Sequence, residues 1–195
     1  MIKPDITYCT SLEEFYKEIV RIQQETHGDY YTKHHDALTS LSQECETIKE
    51  LGVCQGGTLA ALMLSNPQKK ITGIDYDPKY FMPYKRLFID YAEKHSIDFD
   101  FIEGDSLDKK LASKVDLLHI DTLHTEKHLL QELKIHAPLV KKYIVFHDTC
   151  NAKGSTGLLL AIARYITEVD QSWQIIDHFI HNVGYTVIKR IDRSI

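Results

Sequence analysis

The chain has 195 residues, 43% hydrophobic and 26% charged, with a formal charge of −5, a balance that suits one globular domain with a sizeable core. The acidic excess argues against nucleic acid as a partner, because such binding rests on Lys and Arg neutralising phosphates. The chain contains no apolar run of about 18 residues, and Met1-Ile-Lys-Pro-Asp5 lacks the basic and apolar regions of a signal peptide, so the expectation is a cytoplasmic protein without a membrane partner. Cys9, Cys45, Cys54 and Cys150 are scattered with no C-x-x-C pair, which predicts reduced thiols and no zinc knuckle.

In chain order, Ser11 to Thr26 carries Leu12, Phe15, Ile19 and Ile22 at helical spacing, with Ser11 as N-cap and Glu14 completing a capping box. His27 to Asp36 is polar, aromatic and histidine-rich, and reads as a loop at the mouth of a site. Thr47-Ile48-Lys49 leads into a short buried strand, followed by Glu50-Leu-Gly-Val-Cys-Gln-Gly-Gly-Thr-Leu59. Gly52, Gly56 and Gly57 let the backbone turn tightly and approach a ligand. The helix predicted from Thr58 to Leu64 points its free N–H groups back at that turn. Ile71 to Asp75 is a strand ending in a carboxylate suited to ribose hydroxyls. The glycines do not follow G-x-G-x-x-G, which disfavours NAD.

Further on, a helix is expected from about Pro83 to Lys94, with Tyr84, Leu87, Phe88 and Tyr91 on one face. Ile97 to Ile102 alternates as a strand and runs into Glu103-Gly-Asp105-Ser106, where Asp105 also suits the cap of a helix beginning near Leu107. Val115 to Asp121 is a strand, and Thr125 to His136 a helix with Leu129, Leu130 and Leu133 inward. Tyr143 to Phe146 is a strand ending in His147-Asp148, and Ser155 to Val169 a helix. Trp173 to Ile176 and Gly184 to Lys189 read as a closing hairpin. This order predicts an α/β fold, a doubly wound, Rossmann-like and mostly parallel sheet with helices on both faces and an antiparallel C-terminal strand. Residues 1–195 are expected to form a single domain, with 1–46 as a helical N-terminal cover.

Ligands of such sheets sit outside the carboxyl ends of the strands, where this chain concentrates Asp75, Asp105, Asp121, His147 and Asp148. Asp121 and the pair His147-Asp148 end neighbouring strands, so two carboxylates and an imidazole are expected around one divalent metal. The carboxylates favour Mg²⁺, and the histidine moves the preference towards Mn²⁺ or Fe²⁺. Two Asp and one His also fit a non-haem iron facial triad.

The pattern E-L-G-V-x-x-G-G-T with Asp75 closing the second strand resembles motif I of class I S-adenosylmethionine (SAM) methyltransferases. That resemblance implies cofactor contacts at Gly52, Val53, Gly56, Gly57, Thr58 and Asp75, with Asp105 and Ser106 at the adenine and Asp121 nearby. It also implies a cover from the segment before motif I, with Tyr30, Tyr31, His34 and His35 as candidates. Asp116-Leu-Leu-His-Ile-Asp-Thr-Leu-His124, Glu132-Leu133, His136-Ala-Pro138 and Ile144-Val-Phe-His-Asp-Thr149 are similar to the methyltransferase family related to the cephalosporin hydroxylase and macrocin O-methyltransferase groups, over roughly Thr47 to Lys189. The family implies a divalent metal on Asp121, His147 and Asp148, although many relatives carry Asp or Glu at the place of His147. SAM and metal together imply O-methyl transfer to a small hydroxylated substrate such as a sugar or other diol, with Asp121 and His124 catalytic. Catechol-type O-methyltransferases have a lysine where His124 stands, which makes His124 the candidate general base. His119, in mid-strand, is expected to be buried and hydrogen-bonded. A metal-dependent hydroxylase or hydrolase on the same fold, or a non-catalytic SAM-binding subunit, are the alternatives. The outer face of the first helix offers a surface for a homo-oligomer.

Overall fold

The computed structural model describes residues 5–28, 30–65, 69–150 and 157–191. Seven strands form one sheet: β1 (Thr47–Leu51), β2 (Lys70–Asp75), β3 (Asp98–Glu103), β4 (Val115–Ile120), β5 (Val140–His147), β6 (Trp173–Phe179) and β7 (Tyr185–Arg190). Their order is β3-β2-β1-β4-β5-β7-β6. The first five are mutually parallel, and β7 runs antiparallel between β5 and β6. Strand order reverses between β1 and β4, which opens a crevice at their carboxyl ends.

Alternating side chains commit the two faces of the sheet to two cores. Ile48, Ile71, Leu117, Val145 and Val187 pack beneath α1 (Leu12–His27), α2 (Tyr30–Ser42), α3 (Gly57–Ser65) and α4 (Lys85–His95). Leu51, Ile74, Leu118, Ile120, Ile144 and Ile188 pack beneath α5 (Glu126–His136) and α6 (Leu158–Arg164). Nearly continuous burial along β1, β4 and β5 is what a parallel sheet covered on both sides requires.

The start of α1 follows the expected chemistry with one shift. Ser11 caps it by accepting from the Glu14 amide, while the Glu14 carboxylate reaches one residue further back, to the amide and hydroxyl of Thr10 at 2.9 and 2.8 Å. The loop expected over 27–36 is largely helix, because α2 begins at Tyr30 and buries His34, His35, Leu38 and Ser42 along one stripe. Histidine occupies inward positions there, so a hydropathy pattern reads them as solvated. The side chains of Tyr30 and Tyr31 lie outside the described residues, as does Ser155, the expected start of the sixth helix. The helix anticipated near Leu107 is absent. Only a 3-10 turn at Lys109–Leu111 forms, capped by Asp108, and the short connection from β3 to β4 has no room for more. The four cysteines are thiols.

Candidate active site

The glycine turn leaves β1 at Leu51 and enters α3 at Gly57. Asp75, the last residue of β2, holds it in shape. Its Oδ2 accepts from the amides of Val53 at 2.8 Å and Cys54 at 2.7 Å, and its Oδ1 accepts from the Asp77 amide at 2.8 Å. A carboxylate has about four acceptor positions, so capacity remains for further donors. Gly52 adopts φ 84°, and a Cβ there would collide with the main-chain carbonyl of Asp121. Gly56 adopts φ 96°, where a Cβ would stand 2.8 Å from the Phe88 ring. Gly52 thus permits a close approach of the turn to the end of β4, and Gly56 a close approach to the Phe88 ring. Thr58 Oγ1, in the first turn of α3, lies 3.4 Å from His35 Nε2.

At the end of β3, Asp105 Oδ1 accepts from the Leu107 amide at 2.9 Å, so it caps a turn. Ser106 is buried against α5: its hydroxyl lies 3.2 Å from His128 Nε2, and its carbonyl accepts from His136 Nε2 at 2.8 Å. His128 Nε2 also lies 3.2 Å from Glu132 Oε1, and the hydrogen bond to Glu132 raises the His128 pKa. Glu132 is fully buried and accepts from Thr122 Oγ1 at 2.8 and 3.0 Å. His128 did not stand out in the sequence, and Thr122 and Glu132 did so only as members of the family-like segments, with no role attached. The available signal was the i, i+4 pair His128 and Glu132, with Glu132 beside the apolar stripe of Leu129 and Leu133.

The pairing of β4 with β5 brings the acids and imidazoles together. His124 Nε2 lies 3.1 Å from Asp121 Oδ1 and 3.1 Å from Asp148 Oδ2, and one ligand atom from each of these three residues falls within 4.8 Å of the others. His147 Nδ1 stands 3.0 Å from Asp148 Oδ2 and 3.7 Å from Asp121 Oδ2. His124, expected as a base, is therefore the imidazole of the tight three-residue group, with His147 beside it. The reason is the strand: His147 pairs with Tyr185 on β7, and its ring meets His34 edge-on at 5.5 Å. Asp148 adopts the left-handed region at φ 58°, which Asp tolerates better than most residues.

Charge dominates this cluster. Burial pulls the His147 imidazole down, but Asp121 and Asp148 outweigh it and lift its pKa to about 9. The hydrogen bond to Asp121 raises that of His124. Burial opposes ionisation of Asp121, yet His147 and His124 hold it well below the usual carboxylate range.

Beneath the cluster, on the face covered by α2, His119 Nδ1 lies 3.2 Å from Glu50 Oε1, both side chains buried as expected for a mid-strand histidine. Burial raises the Glu50 carboxyl. His34, 2% exposed, stacks on Tyr185 with centroids 4.8 Å apart.

A methyltransferase-domain family matches the chain over residues 49–149, from β1 through the acid after β5. The chain belongs to this family. Its fold is that of the class I SAM-dependent methyltransferases. A provisionally assigned caffeoyl-CoA O-methyltransferase from Staphylococcus aureus is similar at TM-score 0.65 and 13% identity, over 90% of this chain and 98% of that one. A methyltransferase from Geobacter sulfurreducens is similar at TM-score 0.64 and 13% identity, covering 98% and 93%. The S-adenosylhomocysteine-bound Podospora anserina methyltransferase PaMTH1 is similar at TM-score 0.60 and 15% identity, covering 98% and 99%. At such identities the likeness is one of fold. No curated protein sequence matches the methyltransferase. Among its described residues, no helix is long and apolar enough to cross a membrane.

Proposed function

We propose that this methyltransferase transfers the methyl group of SAM to a hydroxyl of a small molecule such as a sugar or other diol, assisted by a divalent cation. The observation that carries this reading is His124 Nε2 standing 3.1 Å from both Asp121 Oδ1 and Asp148 Oδ2. Two carboxylates converge there on one imidazole, whose pKa the hydrogen bond to Asp121 raises. His147, lifted to about 9 by the same two acids, stands beside them, so the cluster draws positive charge of the kind a divalent ion supplies. Asp121 and Asp148 would hold the ion, with His124 or His147 as nitrogen donor, a set suited to Mg²⁺ or, given the imidazole, Mn²⁺ or Fe²⁺.

Gly52, Val53, Gly56, Gly57 and Thr58 form the cradle we assign to SAM, with Asp75 for the ribose hydroxyls and Asp105 and Ser106 for the adenine. Tyr76, 78% exposed, and Leu123, 60% exposed, support this assignment. They leave large apolar faces in water at the ends of β2 and β4, on either side of β1, where the faces of a purine would cover them. Residues 1–46 act as the cover of a single domain, an assignment supported by His34 and His35 packing over the face that carries Glu50, His119 and His147.

When bound, SAM supplies an electrophilic methyl group and the cation lowers the pKa of the accepting hydroxyl. The side chains govern the proton. While Nε2 of His124 is shared by Asp121 and Asp148, it holds a proton and is no base. It accepts one from a substrate hydroxyl only when another positive charge satisfies those acids.

Thermal unfolding of chelator-treated protein tests the reading, with SAM or S-adenosylhomocysteine and with Mg²⁺, Mn²⁺ or Fe²⁺. A ligand at about 100 times its Kd adds on the order of 2.7 kcal/mol, and the increment from the cation should vanish in Asp148→Ala. Diols and sugars are then screened for formation of S-adenosylhomocysteine. No stabilisation by either nucleoside would overturn the assignment.

A further inference from the structure

The buried hydrogen bonds of α5 do more than seal a helix to a sheet. Ser106 lies after β3 and Thr122 after β4; β4 joins their loops along the chain, but β3 and β4 are not neighbours in the sheet and no strand pairing ties their carboxyl ends together. One chain of polar side chains does: Ser106 Oγ to His128 Nε2 at 3.2 Å, His128 Nε2 to Glu132 Oε1 at 3.2 Å, and Thr122 Oγ1 to Glu132 Oε1 at 2.8 Å. The arrangement resembles a nucleophile, base and acid in residue type only. Serine and glutamate meet the same imidazole nitrogen, so the acid cannot orient the ring to draw a proton from the hydroxyl, as a hydrolytic triad requires. A second histidine, His136, fixes the Ser106 carbonyl from the same helix at 2.8 Å. Glu132 is fully buried, its carboxylate accepting from the Thr122 hydroxyl and lying against His128 Nε2. A buried carboxylate in a helix costs stability unless its partners require it, and apolar packing would serve a merely structural helix better.

We infer that His128 and Glu132 are positioning residues that tie the Ser106 loop to the loop carrying Asp121 and His124, so that filling one subsite raises affinity at the other. This rests on the reading above, in which Ser106 belongs to the nucleoside subsite and Asp121 to the cation subsite. A ligand that fixes either loop also fixes the α5 side chains that hold the other. By linkage the effect is reciprocal: each ligand tightens the other by the same factor.

The test is calorimetric titration with S-adenosylhomocysteine, with and without Mn²⁺, on the full chain. In the wild type Mn²⁺ should tighten nucleoside binding about fivefold or more, within the usual range of coupling between sites. Thr122→Val cuts the strap from the loop that carries Asp121 and His124 while leaving the Ser106 end intact, and should bring that factor close to one while nucleoside affinity without metal stays as in the wild type. His128→Ala should lose the coupling and weaken the nucleoside itself about tenfold, one hydrogen-bonded partner's worth. His128→Gln, whose amide can replace Nε2 as donor, should restore most of both and covers the case in which the alanine variant does not fold. Undiminished coupling in Thr122→Val, or glutamine behaving as alanine does, would overturn the strap. Failure of the wild type to bind S-adenosylhomocysteine or Mn²⁺ at all would instead overturn the parent reading, and the strap with it.

Discussion

The α-carbon of Gly52 rests against the main-chain carbonyl of Asp121, so the end of β1 and the end of β4 touch without a side chain between them. Asp121 is also tied there by its amide, which donates to the Leu51 carbonyl at 2.8 Å. The glycine turn and the acid cluster are therefore one construction. Gly52→Ala should destabilise the protein by roughly 3 kcal/mol or more, because the new Cβ meets backbone and the residue keeps a positive φ. Urea unfolding measures it, and a loss under about 1 kcal/mol would mean that the two strand ends part easily.

Asp75 makes a second testable joint. With Ala at this position, the amides of Val53 and Cys54 lose a charged acceptor, and a stability loss of about 1.5–3 kcal/mol is expected. Asp75→Asn retains an acceptor oxygen for the turn and should lose less stability, while S-adenosylhomocysteine binding weakens in both. Equal binding by Asp75→Ala and the wild type would remove Asp75 from the cofactor site.

Acid should weaken the packing of α2. Burial pushes the pKa of His35 down to about 3 and that of His34 to about 4, so both are neutral in the fold and take up protons once unfolded. Their contribution is complete above the unfolded value near 6.5 and is lost as pH falls towards these folded values. At pH 5 each should cost about 2 kcal/mol relative to pH 7.5. The unfolding free energy of His35→Gln should fall less over that interval than that of the wild type. Parallel profiles would show that His35 is already solvated in the folded protein.

Protons and cations should compete at the acid cluster. His147, with a pKa lifted to about 9, carries charge that a divalent ion must displace, and His124, whose pKa the hydrogen bond to Asp121 raises, holds its proton more tightly than a free imidazole. Mn²⁺ affinity should therefore rise between pH 6 and pH 9, by up to about tenfold per pH unit for each proton released. Calorimetry in buffers of different ionisation enthalpy counts those protons directly. Binding that is flat with pH would place the ion elsewhere.

Much of the architecture was legible in the chain because it depends on local pattern. Strands β4 and β5 announce themselves as apolar runs, β1 by its place before the glycine turn, α1 by its stripe and its Ser11 cap, and the turn itself by Gly52, Gly56 and Gly57 before Asp75. The convergence of Asp121 with His147 and Asp148 followed from two strands being neighbours, and the sheet makes them so. The histidines of α2 were hidden, since an inward histidine looks polar in any hydropathy reading.

What the sequence determined by itself was the succession of elements and the acids at their ends, because helix and strand periodicity and turn chemistry act over a few residues. Only the tertiary structure decided which imidazole lies between Asp121 and Asp148, that Asp75 braces the turn, that Gly52 makes room for Asp121, and that His128 and Glu132 join two loops. Those outcomes depend on side chains far apart in sequence being set within about 3 Å of one another, and only the packing of the sheet and its helices fixes distances on that scale.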